Sequence, residues 1–177
     1  MEKIDVLDNK GNKTGEVKLK SEAHRDGDWH KAVHVWIVNF KGEILLQLRS
    51  KDKDTHPDCW DISAAGHVSA GEDSITSAMR ETEEELGVIL EPRDFLFIGS
   101  VIQQVVLNNG AIINNEFNDI YIVRANFDLS SLKIQKEEID DVRYISKEEL
   151  KTWVEEEREN LVPHKEEYEL LFNFLEK

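Results

Sequence analysis

Stretches rich in β-branched and aromatic residues dominate this chain, and apolar residues at helical spacing appear in three places. Ile4 to Leu7 and Gly15 to Leu19 flank the turn-forming Asp8-Asn9-Lys10-Gly11-Asn12, which predicts an N-terminal β-hairpin. The polar stretch 21–30, with His24 and His30, reads as a loop. Ala32 to Phe40, the turn Lys41-Gly42 and Glu43 to Arg49 predict a second hairpin. Residues 50–58 read as a charged loop and Cys59 to Ala65 as one short strand. Phe95 to Leu107 and Ala111 to Phe127 face each other across Asn108-Asn109-Gly110 as a long hairpin, and Val142 to Ile145 is a last strand. Ile75, Met79, Thr82 and Leu86 recur with the period of a helix. Asp73 or Ser74 can cap that helix, and Gly87 can stop it. Ser146-Lys147-Glu148-Glu149 is a capping box for a helix to about Arg158. Pro163 opens a final helix whose stripe is Tyr168, Leu171, Phe172 and Leu175. The order of elements is that of an α+β protein.

On the first helix, Glu81, Glu84 and Glu85 are neighbours by three- and four-residue steps. Three carboxylates this close repel one another unless a cation sits among them, and oxygen donors suit hard divalent ions that also bind phosphates. Arg80, one turn before Glu84, can fix that carboxylate. A bare acidic run in so acidic a chain reads as a solvated face; the surrounding spacing decides otherwise. Gly66, five residues, Glu72, seven residues, then Arg80-Glu81-Thr82-Glu83-Glu84-Glu85-Leu86-Gly87-Val88 resembles the Nudix box at every charged and glycine position. Thr82 stands where that family has an aliphatic residue. The resemblance implies a Nudix-like α/β/α sandwich with a mixed central sheet. It also implies Mg²⁺ (or Mn²⁺) held by Glu81, Glu84, Glu85 and the carbonyl of Ala65 or Gly66, with Glu72 and Gly87 structural. The implied reaction is metal-dependent cleavage of the diphosphate linkage in a nucleoside diphosphate derivative or other organic diphosphate.

The flanking stretches, including Gly42 to Arg49 and Pro57-Asp58-Cys59-Trp60, are similar to isopentenyl-diphosphate isomerases and their hydrolase relatives. In the isomerases a catalytic cysteine follows the tryptophan; here Ala64 and Ala65 stand there, and Cys59 precedes it. Those isomerases also tend to lack a complete box. Hydrolysis is therefore the expected reaction, with an isomerase-like enzyme or a non-catalytic diphosphate-binding module as alternatives. His24, His30 and His67 stand at places similar to the isomerases' metal-binding histidines, so His67 joins the expected ligands. Polar residues that merely hydrogen-bond the loops are the other reading of all three. Glu81 or Glu116 is the candidate general base, with Glu84 and Arg80 also expected to take part in catalysis; Glu116 also reads as an exposed strand-end residue, and Glu138 as part of an acidic loop. Arg49, Lys51 and Lys53 are candidates to meet substrate phosphate.

The 177 residues suffice for a single domain, with 1–30 as an N-terminal hairpin and loop extension and 147–177 as C-terminal helices. A net charge of −15 argues against a nucleic-acid polymer as partner. It leaves room for a small organic diphosphate neutralised by metal ions. Cys59 is the only cysteine, which excludes an internal disulfide and fits a reducing cytoplasm. No apolar run of membrane-spanning length is present. A monomer or a homodimer is expected.

Overall fold

The computed structural model describes residues 1–177. Its centre is β3 (Trp29–Val38), whose nearly continuous apolar residues mark a strand covered on both faces. Along one edge β3 runs parallel to β8 (Ile112–Arg124), from Trp29↔Asn115 to Val38↔Arg124. β8 in turn pairs antiparallel with β7 (Phe95–Leu107), the predicted long hairpin. The other edge of β3 is shared by three strands. β1 (Lys3–Leu7), which also carries β2 (Lys13–Leu19), touches it at Leu7↔Trp29. β6 (Ala64–His67) lies along Ala32 to Val35. β4 (Ile44–Arg49) meets it at Val38↔Ile44 alone. From there β4 turns away to pair with β5 (Trp60–Asp61) and β9 (Ile139–Ile145).

The sheet is therefore mixed and split. The second predicted hairpin opens almost at its tip, and a cleft forms between β6 on one side and β4 with β5 on the other. The split leaves backbone groups without strand partners, and Ser63 supplies them. Its buried hydroxyl accepts the Ile37 N–H at 2.8 Å and donates to the Leu45 carbonyl at 2.5 Å. This stitch also divides the single strand expected over 59–65 into β5 and β6.

Helices cover both faces. Odd positions of β3 (Val33, Val35, Ile37) with Tyr121 and Val123 pack against α2 (Ser74–Leu86) through Ala78 and Leu86. Even positions (Trp36, Val38) with Ile120 and Ile122 pack against α3 (Lys147–Glu155) and α4 (Lys165–Leu175). The result is an α+β sandwich. The stretch 21–30 is not the loop its polarity implied. It holds α1 (Lys20–Asp26), with Glu22 reaching back to the Leu19 N–H at 3.2 Å and Gly27 closing it at φ 72°. No helix is long and apolar enough to cross a membrane.

Candidate active site

α2 starts where Asp73 accepts the Thr76 N–H at 2.9 Å and ends at Gly87, whose φ of 69° needs glycine. Thr82 is buried at the expected aliphatic position because its hydroxyl donates to the Ala78 carbonyl one turn earlier, at 2.7 Å. The helix thus turns Glu81 and Glu85 inward and leaves Glu84 half exposed.

Gly66 explains how Glu81 reaches the cleft. A methyl group at that position would overlap the Glu81 carboxyl group. Glu85 reaches the free edge of β6, where its Oε2 accepts the Ala65 N–H and the Gln47 Nε2–H, each at 3.1 Å. Arg80 ties these pieces together. Its guanidinium donates to Glu81 at 2.6 Å, the His67 carbonyl at 3.1 Å, the Ser69 hydroxyl at 3.1 Å and Glu72 at 3.3 Å. Glu84, the partner expected from spacing, is farther, at 3.5 Å. Glu72 also takes the Ser77 hydroxyl at 2.6 Å, so it braces the loop before the helix.

Burial pushes Glu81 up to about 7, with Arg80 opposing and Glu84 and Glu2 adding to the shift. Burial beside Glu81 pushes Glu85 up to about 8 against the Ala65 and Gln47 hydrogen bonds. These are carboxylates short of positive charge.

A second cluster stands on the other side of Gly66. In register, His30 faces Glu116 and Ala32 faces both Asn118 and His67, so these residues share one face of the sheet. His30 and His67 each place Nε2 against Glu116 Oε1, at 3.1 and 3.2 Å. His24 on α1 places its Nε2 3.2 Å from that of His30. The other ring nitrogen of His30, Nδ1, donates to the Asp28 carbonyl at 2.9 Å, which fixes the orientation of the ring. Burial, then the charges of His67 and His30, pull His24 down to about 4. Burial likewise pulls His67 down, against the pull of Glu116. Burial would raise Glu116, but its bonds to His30 and His67 hold it well below the usual carboxylate range. Glu116 is thus buried within β8, not an exposed strand end, because the strand already runs from Ile112 and pairs there with both β7 and β3.

The three α2 carboxylates line one cleft of about 870 Å³ together with His24, His67 and Glu116, and His30 lies buried behind them. The three basic candidates separate. Arg49 is turned toward Asp61 at 3.1 Å and the Thr55 carbonyl at 2.8 Å. Lys53 pairs with Glu138 across the rim, and Lys51 is exposed outside the cleft lining. Cys59 is half buried, with its Sγ 3.8 Å from the Glu159 carbonyl, away from the cleft.

Sequence patterning gave no weight to His34, His164, Glu167 and Asp61, which form a buried network at the floor of the cleft. His34 Nδ1 meets Glu167 Oε2 at 2.7 Å, and His164 Nε2 meets Asp61 Oδ1 at 2.8 Å. One signal was available for His34, which alternates in step with His30 along β3.

The model of the NUDIX domain matches residues 28–165. Nudix hydrolase 3 of Arabidopsis thaliana is 48% identical over 98% of this chain, which spans 23% of that protein's length. An isopentenyl-diphosphate Delta-isomerase of Streptomyces avermitilis is 28% identical over 83% of the chain and 72% of its own length. A crystal structure of a Deinococcus radiodurans protein shares the fold, with a TM-score of 0.74 over 97% of this chain and 98% of its own, at 19% identity. With the match of the domain and the fold added to the complete box on α2, the chain belongs to the Nudix hydrolase family.

Proposed function

We propose that this protein hydrolyses the diphosphate linkage of a small organic diphosphate in a metal-dependent reaction, acting as one domain in a reducing cytoplasm. The observation that carries the reading is the convergence of Glu81, Glu84 and Glu85 on the cleft at Gly66, with two of the three buried. Two buried carboxylates pushed toward neutrality fit a site that takes a divalent cation. Their oxygens, with the Gly66 carbonyl, suit Mg²⁺ or Mn²⁺. The nitrogen-rich set His24, His30, His67 and Glu116 suits a softer ion such as Mn²⁺ or Zn²⁺. Bound cations would neutralise phosphate oxygens and acidify water.

The chain's own residues supply position. Arg80 orients Glu81 and fixes the loop from His67 to Ser69. Glu84, half exposed and only loosely held by Arg80, is the carboxylate free to take a proton from attacking water. Glu116 is committed to His30 and His67, so it orders the second cluster in preference to acting as base.

The isomerase relative favours a second reading, allylic proton transfer on isopentenyl diphosphate. Against it stands the cleft without a thiol, since Cys59 lies outside it. A screen of nucleotides, nucleotide sugars and prenyl diphosphates with millimolar Mg²⁺ decides. Hydrolysis is expected, and Glu84→Gln should lower kcat by about 100-fold. Unchanged turnover in that variant would remove the site assignment, and conversion of isopentenyl to dimethylallyl diphosphate would favour the isomerase.

A further inference from the structure

The buried network at the floor of the cleft lies outside the two groups of residues assigned above to metal binding and water activation. His34 lies on the same face of β3 as His30, four residues along, or about 13 Å at the rise of a strand. The ring lines the same cleft as the α2 carboxylates, His67 and Glu116, so the organic group of a diphosphate held there can reach it. Glu167 fixes the ring from behind. One of its oxygens faces His34 Nδ1 at 2.7 Å, and the other accepts the Trp36 indole N–H at 2.8 Å. His34 Nε2 makes no hydrogen bond within the protein, and the ring lines the cleft. Around it the lining is polar, with Gln47, Gln103, Asn114 and His164. A third metal cluster of His34, His164 and Glu167 is the competing reading. Two ligands about 2.1 Å from one tetrahedral ion stand roughly 3.4 Å apart. The 2.7 Å between His34 and Glu167 is a hydrogen-bond distance instead.

We propose that His34, oriented by Glu167, contacts the organic part of the substrate and makes the enzyme select polar, oxygen-bearing groups such as nucleosides and sugars over prenyl chains. This rests on the hydrolase reading above. With Nδ1 held against the Glu167 carboxylate, Nε2 is the ring's free polar atom, and it can bond an oxygen-bearing group in the cleft. A prenyl chain offers no such group, and a site built around a polar atom discriminates strongly against a partner that leaves it unpaired.

The test compares kcat/KM for ADP-ribose and UDP-glucose with that for isopentenyl and geranyl diphosphate, in wild type, His34→Leu, His34→Asn and Glu167→Gln. The polar substrates should lead by at least about 10-fold in wild type. His34→Leu should raise KM for ADP-ribose about 10-fold with kcat little changed, and leave the prenyl substrates unaffected or improved. His34→Asn should recover part of the loss. Glu167→Gln, which keeps the shape but not the charge behind the ring, should raise KM less than His34→Leu does. Equal use of prenyl and polar diphosphates by wild type overturns the proposal, even if the leucine variant fails to fold. So does a uniform fall in kcat on all substrates in a folded His34→Leu. No hydrolysis of any diphosphate would instead remove the hydrolase reading, and this proposal with it.

Discussion

Glu85 carries the clearest consequence of burial at a single residue. Its carboxyl titrates near 8 in the fold against 4.5 for an ordinary glutamate. Between those values the folded state holds a proton that the unfolded chain has released. Stability is therefore greatest below about 4.5 and falls as pH rises toward 8. The metal-free protein should melt at a lower temperature at pH 8 than at pH 5. Glu85→Gln should flatten that dependence, and at pH 8 it should melt about 5 °C or more above wild type. Thermal unfolding in the presence of a chelator measures both. Saturating Mg²⁺ should restore wild type at pH 8 more than it restores the variant, since the cation replaces the missing proton. The histidine cluster makes a separate prediction. Glu116→Gln removes the charged acceptor shared by His30 and His67. Its affinity for Mn²⁺ or Zn²⁺ should fall about 10-fold or more, read by metal analysis after dialysis.

Between elements, Gly66 is the point where strand and helix must approach most closely. It needs no unusual backbone, only the absence of a side chain. In Gly66→Ala the colliding atoms belong to the end of the Glu81 side chain, which can swing away. The variant should fold with a nearly unchanged melting temperature yet lose activity by about 100-fold, because the displaced carboxylate no longer meets the cleft. Gly87→Ala should do the reverse. There the backbone is left-handed and Lys133 Cβ would lie 2.6 Å from the added methyl, so stability should fall by about 1 kcal/mol or more while activity per folded molecule is kept. α2 was readable residue by residue, because caps, stripe and acidic face all act within a few turns. The sheet was readable only as strands. Nothing local says that β3 takes β8 as a parallel neighbour or parts from β4 after one pair. α1 was hidden by its polarity, since only Ala23 in it is fully buried. His34 and Glu167 are 133 residues apart, and their pairing depends on α4 packing across the sheet, which no sequence period reports.

At the scale of the molecule, charge works against the chemistry at the cleft. The chain carries −15, and acidic side chains outnumber lysines and arginines among the residues lining the cleft. The expected substrate is also an anion, so it approaches against the field instead of being drawn in by it. Enzymes that attract an oppositely charged substrate slow when salt is added; this one should respond with the opposite sign. Raising ionic strength from about 0.01 M to 0.15 M shortens the Debye length from about 30 Å to about 8 Å and screens the repulsion of distant carboxylates. Cations held at α2, as proposed above, would be close enough to a bound diphosphate to be screened far less. With Mg²⁺ kept saturating, kcat/KM should therefore rise about two- to threefold over that range, mostly through KM, while kcat stays level. Steady-state kinetics at fixed free Mg²⁺ provide the measurement. A fall in kcat/KM would mean that a local positive patch, with Arg49, Lys53 or His34 as its members, outweighs the acidic surroundings at the mouth of the cleft.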